Sequence, residues 1–167
     1  MISKHISTKE ATRSVTALRL GIDNTPTPEH LQNMELIAEK VFEPLREFVG
    51  GPIRINSFYR CPELNKAIGG ASKNGKQTSQ HCYGQALDLD DTLGYMSNAQ
   101  MFEYIKENLS FDQLIWEFGD DPTDPDANPD WVHVSYVDAE SNRNRCLRAY
   151  KDNGRTKYEV KIGRAHV

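Results

Sequence analysis

Residues 79–88, Ser-Gln-His-Cys-Tyr-Gly-Gln-Ala-Leu-Asp, contain the most informative pattern of the chain. In this stretch His81 and Asp88 lie seven residues apart, and imidazole and carboxylate groups are both good zinc ligands. Two small residues between them, Gly84 and Ala86, permit tight packing of the backbone. The stretch therefore offers two candidates for the three protein ligands that a catalytic zinc ion requires, although a single His…Asp pair is more often structural.

A third ligand, His133, is predicted in the segment Trp131–Ser135. This segment alternates like a strand, so Trp131, His133 and Ser135 should share one face and the imidazole can project inward from a rigid element. A structural zinc site is usually closed by a fourth protein ligand. Cys82 is the best candidate, but adjacent residues of a strand point to opposite faces. We therefore expect an open coordination position, as in a catalytic site.

Two acidic residues are candidates for a general base. Asp130 precedes His133 by three residues, where a carboxylate can take a proton from water and pass it to a leaving amine. Glu117 ends the predicted strand Gln113–Glu117. It is either an alternative general base, a hydrogen-bond partner of the metal ligands, or a carboxylate exposed to water at the end of the strand. Between the two, the sequence favours Asp130.

Three further polar residues are predicted to contact the substrate or to orient the site. Arg60 follows a predicted strand, and its planar guanidinium suits a substrate carboxylate or an oxyanion. Ser79 and Gln80 directly precede His81, where they can orient the metal ligands or the substrate.

The pattern Ser-x-His-x-x-Gly-x-Ala-x-Asp, followed later by acid-x-x-His, resembles the zinc D-Ala-D-Ala carboxypeptidase and endopeptidase family. That family includes phage endolysins and vancomycin-resistance dipeptidases. Residues 79–88 match the first pattern, Asp130 and His133 match the second, and Arg60 within Ser57-Phe58-Tyr59-Arg60 matches the family's arginine. The likeness extends over residues 53–136, about half of the chain.

The resemblance implies a small α+β fold shared with the hedgehog signalling domain, in which an antiparallel sheet carries one zinc ion per chain. It also implies a hydrolase that cuts an amide in a peptidoglycan stem peptide. Residues 130–133, Asp-Trp-Val-His, depart from the Glu-Trp-Trp-His-like form of the dipeptidases, so dipeptidase activity is disfavoured. D-Ala-D-Ala carboxypeptidase, L-Ala-D-Glu endopeptidase and cross-bridge cleavage all remain open.

Two other classes of function use similar ligands. A non-catalytic cell-wall binding module of the same fold would retain zinc without hydrolysis. An iron oxygenase with two histidines and one carboxylate usually has its first two ligands as His-x-Asp on a jelly-roll strand. Here six residues separate His81 from Asp88, and long runs of regularly spaced strands are missing. We therefore disfavour the oxygenase.

Composition limits the partners and the location of the protein. With 167 residues, 38% hydrophobic and 26% charged, the chain suits one soluble globular domain, which we expect to be monomeric. A net charge of −4 argues against a nucleic-acid surface. No stretch approaches the roughly 18 apolar residues of a membrane span. Without an apolar leader, we expect synthesis in the cytoplasm and action on the cell wall, after phage-mediated release if the gene is a phage gene.

Cap and breaker residues predict one α+β domain over residues 1–161, with helices before a mixture of strands and short helices. We interpret residues 162–167, which follow without any linking pattern, as a non-native tail. The three cysteines, Cys61, Cys82 and Cys146, are expected to be free thiols.

The predicted elements follow the usual sequence signals. Helices are predicted at residues 7–20, 27–50 with a kink at Pro44, 62–68 and 97–108. Ser7 is predicted to cap the first helix and Gly21 to end it, and Ser97 or Asn98 to cap the last. Strands are predicted at residues 53–59, 113–117 and 131–136, and a terminal hairpin at 146–151 and 157–161 around Asn153-Gly154. In the first of these strands, Ile53, Ile55 and Ser57 are predicted to share one face. Residues 71–78 and 119–129 are predicted loops.

Overall fold

A six-stranded sheet forms the centre of the molecule, and the N-terminal helices pack on one of its faces. The computed structural model describes residues 1–161; the predicted tail at 162–167 lies outside the described residues. The helices are α1 (Thr8–Thr12), α2 (Val15–Leu20), α3 (Pro28–Ile37), α4 (Glu43–Val49), α5 (Pro62–Ala67) and α6 (Asn98–Asn108). The strands are β1 (Arg54–Ser57), β2 (Ser72–Lys73), β3 (Lys76–Gln77), β4 (Ala86–Asp90), β5 (Gln113–Glu117), β6 (Trp131–Ser135), β7 (Arg145–Asp152) and β8 (Arg155–Val160). The α+β class expected from the sequence is confirmed.

The predicted first helix is two helices, because two serines each cap one. The Oγ of Ser7 accepts from the amide of Glu10 at 3.0 Å, and the Oγ of Ser14 accepts from the amide of Ala17 at 3.1 Å. The second cap requires extended backbone at Ser14, which interrupts the helix. Gly21 then ends α2 in the left-handed conformation, as predicted.

The long second helix contains a π-helical turn, Ala38–Phe42, just before the position of the predicted kink. Pro44 lies in the first turn of α4 directly after it. A proline lacks the amide and crowds the carbonyl four residues earlier, and a widened turn relieves that conflict. The helix therefore continues and keeps Met34, Ile37 and Leu45 fully buried against the core.

The sheet has the strand order β1-β4-β6-β5-β7-β8. All neighbours are antiparallel except β5 and β7, which are parallel. Strand β4, which carries Asp88, was not predicted from the sequence. The predicted loop at residues 71–78 contains the small hairpin of β2 and β3.

An irregularity in β1 corrects another prediction. Ile55 pairs with Leu89, but Ser57 pairs with Asp88, so the register shifts at Asn56. Ser57 was predicted to share a face with Ile53 and Ile55. The shift instead turns Ser57 to the face of Asp88.

The terminal hairpin matches the predicted position, with slightly longer strands. Asn153 and Gly154 both have positive φ, 51° and 77°, as a two-residue hairpin turn requires. The three cysteines are thiols, as expected, and all three are buried. Within residues 1–161, none of the helices has the length and apolar character needed to cross a bilayer.

Candidate metal centre

An open cleft of about 780 Å³ lies on the face of the sheet opposite the helices. Side chains of β4, β5 and β6 form its floor, and the segments around Arg60 and Ser79 form one wall. Residues of β7 and β8 form the other wall. The cleft is lined by Arg60, Gly69, Gly70, Ala71, Thr78, Ser79, Gln80, His81, Asp88, Gln113, Ile115, Glu117, Phe118, Trp131, His133, Arg143, Leu147, Thr156 and Tyr158.

The three predicted metal ligands meet in this cleft. One ligand atom each from His81, Asp88 and His133 lies within 4.8 Å of the other two. The Asp88 carboxylate stands between the imidazoles, with Oδ2 3.3 Å from His81 Nε2 and Oδ1 2.9 Å from His133 Nδ1. Asp88 and His133 are paired across β4 and β6, so the sheet itself fixes two of the three ligands.

His81 reaches the site from a 3₁₀ turn, Gln80–Tyr83, and not from a strand. Ser79 begins the turn, and its Oγ accepts from the amide of His81 at 3.2 Å. Gly84 ends the turn with φ 72°, and a Cβ there would lie 2.6 Å from the carbonyl oxygen of His30. The glycine of the motif is therefore required by the backbone that presents His81.

The tautomer of His81 is fixed by the backbone. Nδ1 lies 2.7 Å from the carbonyl oxygen of Phe58, so Nδ1–H donates and Nε2 is left to bind a cation. Burial lowers the pKa of His81, which keeps the imidazole neutral. Burial alone would raise the pKa of Asp88, but the two imidazoles hold it well below its usual range. Both groups therefore have the protonation state in which they coordinate metal.

Glu117 is the acid that the structure brings to the cleft. Only 8% of the residue is exposed. Burial raises the pKa of Glu117 to about 7, with His133 lowering it and Asp88 raising it further. A carboxyl group with a pKa near neutrality is suited to accept and return a proton.

Asp130 lies outside the cleft, although the sequence favoured it as the base. Among the residues that the structure describes, Asp130 does not line the cleft, and it is exposed. Its backbone supports the site instead: the amide donates to the Glu117 carbonyl at 2.9 Å, and its carbonyl accepts from Asn98 at 3.2 Å. Asp130 directly precedes Trp131, so strand alternation directs its side chain to the other face.

Arg60 is fixed beside the ligands by two hydroxyl groups. Its Nη1 lies 3.4 Å from the Oγ of Ser57, and its Nη2 lies 3.2 Å from the Oγ of Ser79. The Arg60 amide also donates to the carbonyl of His81 at 3.1 Å. Ser79 thus holds both Arg60 and the turn that carries His81.

Gln80 lines the cleft but uses its side chain within the protein. Its Nε2 donates to Oδ2 of Asp112 at 2.9 Å, and Nη2 of Arg143 donates to the same oxygen at 2.7 Å. The predicted substrate-binding role of Gln80 stays a prediction, since the structure shows only this supporting contact.

A family model described as Peptidase M15 matches residues 4–120, more than half of the chain. The chain belongs to the M15 peptidase family. This is the zinc D-Ala-D-Ala carboxypeptidase family that the sequence motif resembled, and the resemblance is confirmed. The matched residues include Arg60, His81, Asp88 and Glu117, whereas His133 lies beyond the match. No curated protein matches the chain.

The donor set of this M15 domain fits the zinc of its family. Two imidazole nitrogens and one carboxylate oxygen are the ligands of a catalytic zinc site, which keeps its fourth position for water or substrate. Within residues 1–161 the potential metal group contains only these three side chains. Cys82, considered as a fourth ligand, is buried next to His81 but does not belong to the group.

Sequence reasoning missed the residues of the M15 domain that approach Glu117 from the C-terminal hairpin. Ala149 pairs with Glu117 on one side and with Tyr158 on the other. Directly paired residues share a face, so Tyr158 stands on the cleft side, one small residue away from Glu117. The alternation of β8 was visible in the sequence, but the parallel register that aligns it with Glu117 was not.

Proposed function

We propose that this M15 domain is a zinc-dependent peptidase that hydrolyses an amide bond in peptidoglycan stem peptides, with Glu117 as its general base. The activity is that of either a D-Ala-D-Ala carboxypeptidase or an L-Ala-D-Glu-type endopeptidase. One observation carries the proposal: the buried carboxyl group of Glu117 shares a cleft with the three grouped ligand atoms of His81, Asp88 and His133.

Each group in the cleft has a chemical role in this proposal. Zinc held by His81, Asp88 and His133 would supply Lewis acidity and lower the pKa of water. Glu117 accepts the proton of the attacking water and delivers it to the leaving amine. Arg60, oriented by Ser57 and Ser79, binds a carboxylate or the negative charge that develops on the carbonyl oxygen.

Zinc-loaded protein and purified muropeptides test the proposal, with fragments identified by mass. Glu117→Gln should lower kcat by about 10²–10⁴-fold, the usual contribution of general acid–base catalysis, and leave the zinc content unchanged. Asp130→Asn is the matched control. Its side chain lies outside the cleft, so its activity should stay close to that of the unmodified chain.

Two outcomes would overturn the proposal. Full activity of Glu117→Gln, or a loss in Asp130→Asn as large as that in Glu117→Gln, would reject Glu117 as the base. Tight binding of muropeptides by zinc-loaded protein, with no cleavage of any of them, would favour the cell-wall binding module instead.

A further inference from the structure

A second pocket of about 300 Å³ adjoins the cleft and contains three arginines. It lies between α2, the edge strand β1 and α5. Arg13, Arg54 and Arg60 come from three different segments of the chain and line the same concavity. The other residues that line the pocket carry no charge.

The Asp88 carboxylate acts electrostatically on Arg60, whereas the positive charges of Arg13 and Arg54 are paired with no carboxylate of the described residues. Arg54 is paired with Asp90 across β1 and β4, but the Asp90 carboxylate accepts from Asn98 at 2.8 Å. The Nε of Arg54 donates to the neutral Oδ1 of Asn56 at 3.0 Å. Such a concentration of positive charge contrasts with the net charge of −4 of the chain.

Arg60 connects the second pocket to the metal centre. It lines both cavities, and it is fixed between them by Ser57, which lines the second pocket, and Ser79, which lines the cleft. A peptide that occupies the metal centre can therefore continue past Arg60 toward Arg13 and Arg54.

We propose that Arg13 and Arg54 form a carboxylate subsite that binds a free carboxylate on the residue next to the scissile amide. The proposal rests on the peptidase function proposed above and narrows its substrate to peptides with an acidic residue beside the cut. Guanidinium groups bind carboxylates through two parallel hydrogen bonds, and this geometry gives specificity as well as affinity. In a stem peptide, γ-linked D-glutamate keeps a free α-carboxylate, whereas D-isoglutamine carries a neutral amide there.

Two synthetic stem peptides that differ only in this group test the subsite. One contains γ-linked D-glutamate and the other D-isoglutamine, and kcat/KM is measured for both with zinc-loaded protein. The unmodified chain should prefer the glutamate peptide by about tenfold or more, as hydrogen bonds to a charged group predict. In Arg13→Gln/Arg54→Gln that ratio should fall close to one, because cleavage of the glutamate peptide slows.

Arg19→Gln is the matched control, since Arg19 is an exposed arginine of α2 that does not line the pocket. It should keep the preference of the unmodified chain. Equal cleavage of both peptides by the unmodified chain would overturn the subsite, and so would a preference that survives in the double variant. Either result leaves the peptidase function standing.

Failure of the peptidase function gives a different result, which is cleavage of neither peptide. Calorimetry with the same two peptides then decides on the subsite. Tighter binding of the glutamate peptide that is lost in Arg13→Gln/Arg54→Gln would support it, and equal affinities in the unmodified chain would overturn it.

Discussion

The two faces of the sheet perform different tasks, although alternate residues of the same strands supply both. On the helix side, Leu87, Leu89, Val132 and Val134 are completely buried in the core. On the cleft side, the residues between them include Asp88 and His133, which contact each other at 2.9 Å. Period-two alternation thus anchors each metal ligand between two core residues.

The three metal ligands of the cleft face differ in how they are fixed. Asp88 and His133 belong to the sheet and are in register with Ile115 of β5. His81 is held by a capped turn and by the Phe58 carbonyl. The metal centre therefore combines two ligands fixed by strand pairing with one ligand fixed by local turn geometry, and the two kinds should respond differently to substitution.

Asp88→Ala should have the largest effect on zinc binding and hydrolysis at the cleft face, and little effect on the fold. The substitution removes the carboxylate that lies within contact distance of both imidazoles. We expect zinc binding and hydrolysis to fall below detection, with the secondary structure retained. Metal analysis, muropeptide digestion and circular dichroism measure the three properties.

The neighbouring core residue gives the matched control for Asp88→Ala. Leu87 is completely buried, so Leu87→Ala should lower the free energy of unfolding by about 2–5 kcal/mol. It should still bind one zinc ion per folded chain. Retention of zinc by Asp88→Ala, or loss of zinc from folded Leu87→Ala, would contradict the view that the cleft face binds the metal while the helix side stabilises the fold.

The metal ligands of the cleft face could be predicted from the sequence, because each belongs to a pattern of residues that are close together along the chain. The family motif in residues 79–88 led to His81 and Asp88, and the second family motif, together with the alternation in Trp131–Ser135, led to His133; all three form the potential metal group. Both signals depend only on neighbours along the chain. The same is true of the caps at Ser7 and Ser97, which begin helices as predicted.

The choice between Asp130 and Glu117 could not be made in this way. Proximity along the chain favoured Asp130, which is three residues from His133. Glu117 is brought to the site by strand pairing, since it lies opposite Trp131 across β5 and β6. Strand register depends on contacts between distant segments, and no local pattern specified it. The unpredicted strand β4 has the same explanation.

Gly84→Ala should have an intermediate effect that separates the turn-held ligand from the strand-held ones. A left-handed conformation costs an alanine about 1–2 kcal/mol, and the new Cβ would also meet the His30 carbonyl at 2.6 Å. We expect loss of stability together with weaker zinc binding, because Gly84 ends the turn that presents His81. Urea unfolding and zinc titration measure the two effects.

The hairpin provides the control for this substitution. Gly154 has a similar φ of 77°, but a Cβ there would have no neighbour within 4 Å. Gly154→Ala should therefore show only the conformational cost and unchanged zinc affinity. Equal losses of stability and of zinc affinity in the two variants would mean that the close approach of Gly84 to the His30 carbonyl adds nothing to the conformational cost.

Asp112→Asn, at the rim of the cleft, should have the smallest effect, a modest decrease in the free energy of unfolding. The buried Asp112 carboxylate accepts from Gln80 and from Nε and Nη2 of Arg143, and these hydrogen bonds, with Arg143 foremost, lower its pKa. A lowered pKa in the folded state adds stability above the unfolded value of about 3.9 and loses it as the pH falls further. Since the Arg143 side chain is 53% exposed, solvent screening limits the cost of the substitution in unfolding free energy to about 1 kcal/mol.

Urea unfolding should show this cost of Asp112→Asn near neutral pH and a smaller cost near pH ~3. The control is Asp152→Asn, which removes an exposed ion pair and should change stability little at either pH. A cost for Asp112→Asn that persists unchanged in acid would mean that packing, and not the ionised carboxylate, holds Gln80 and Arg143 at the cleft.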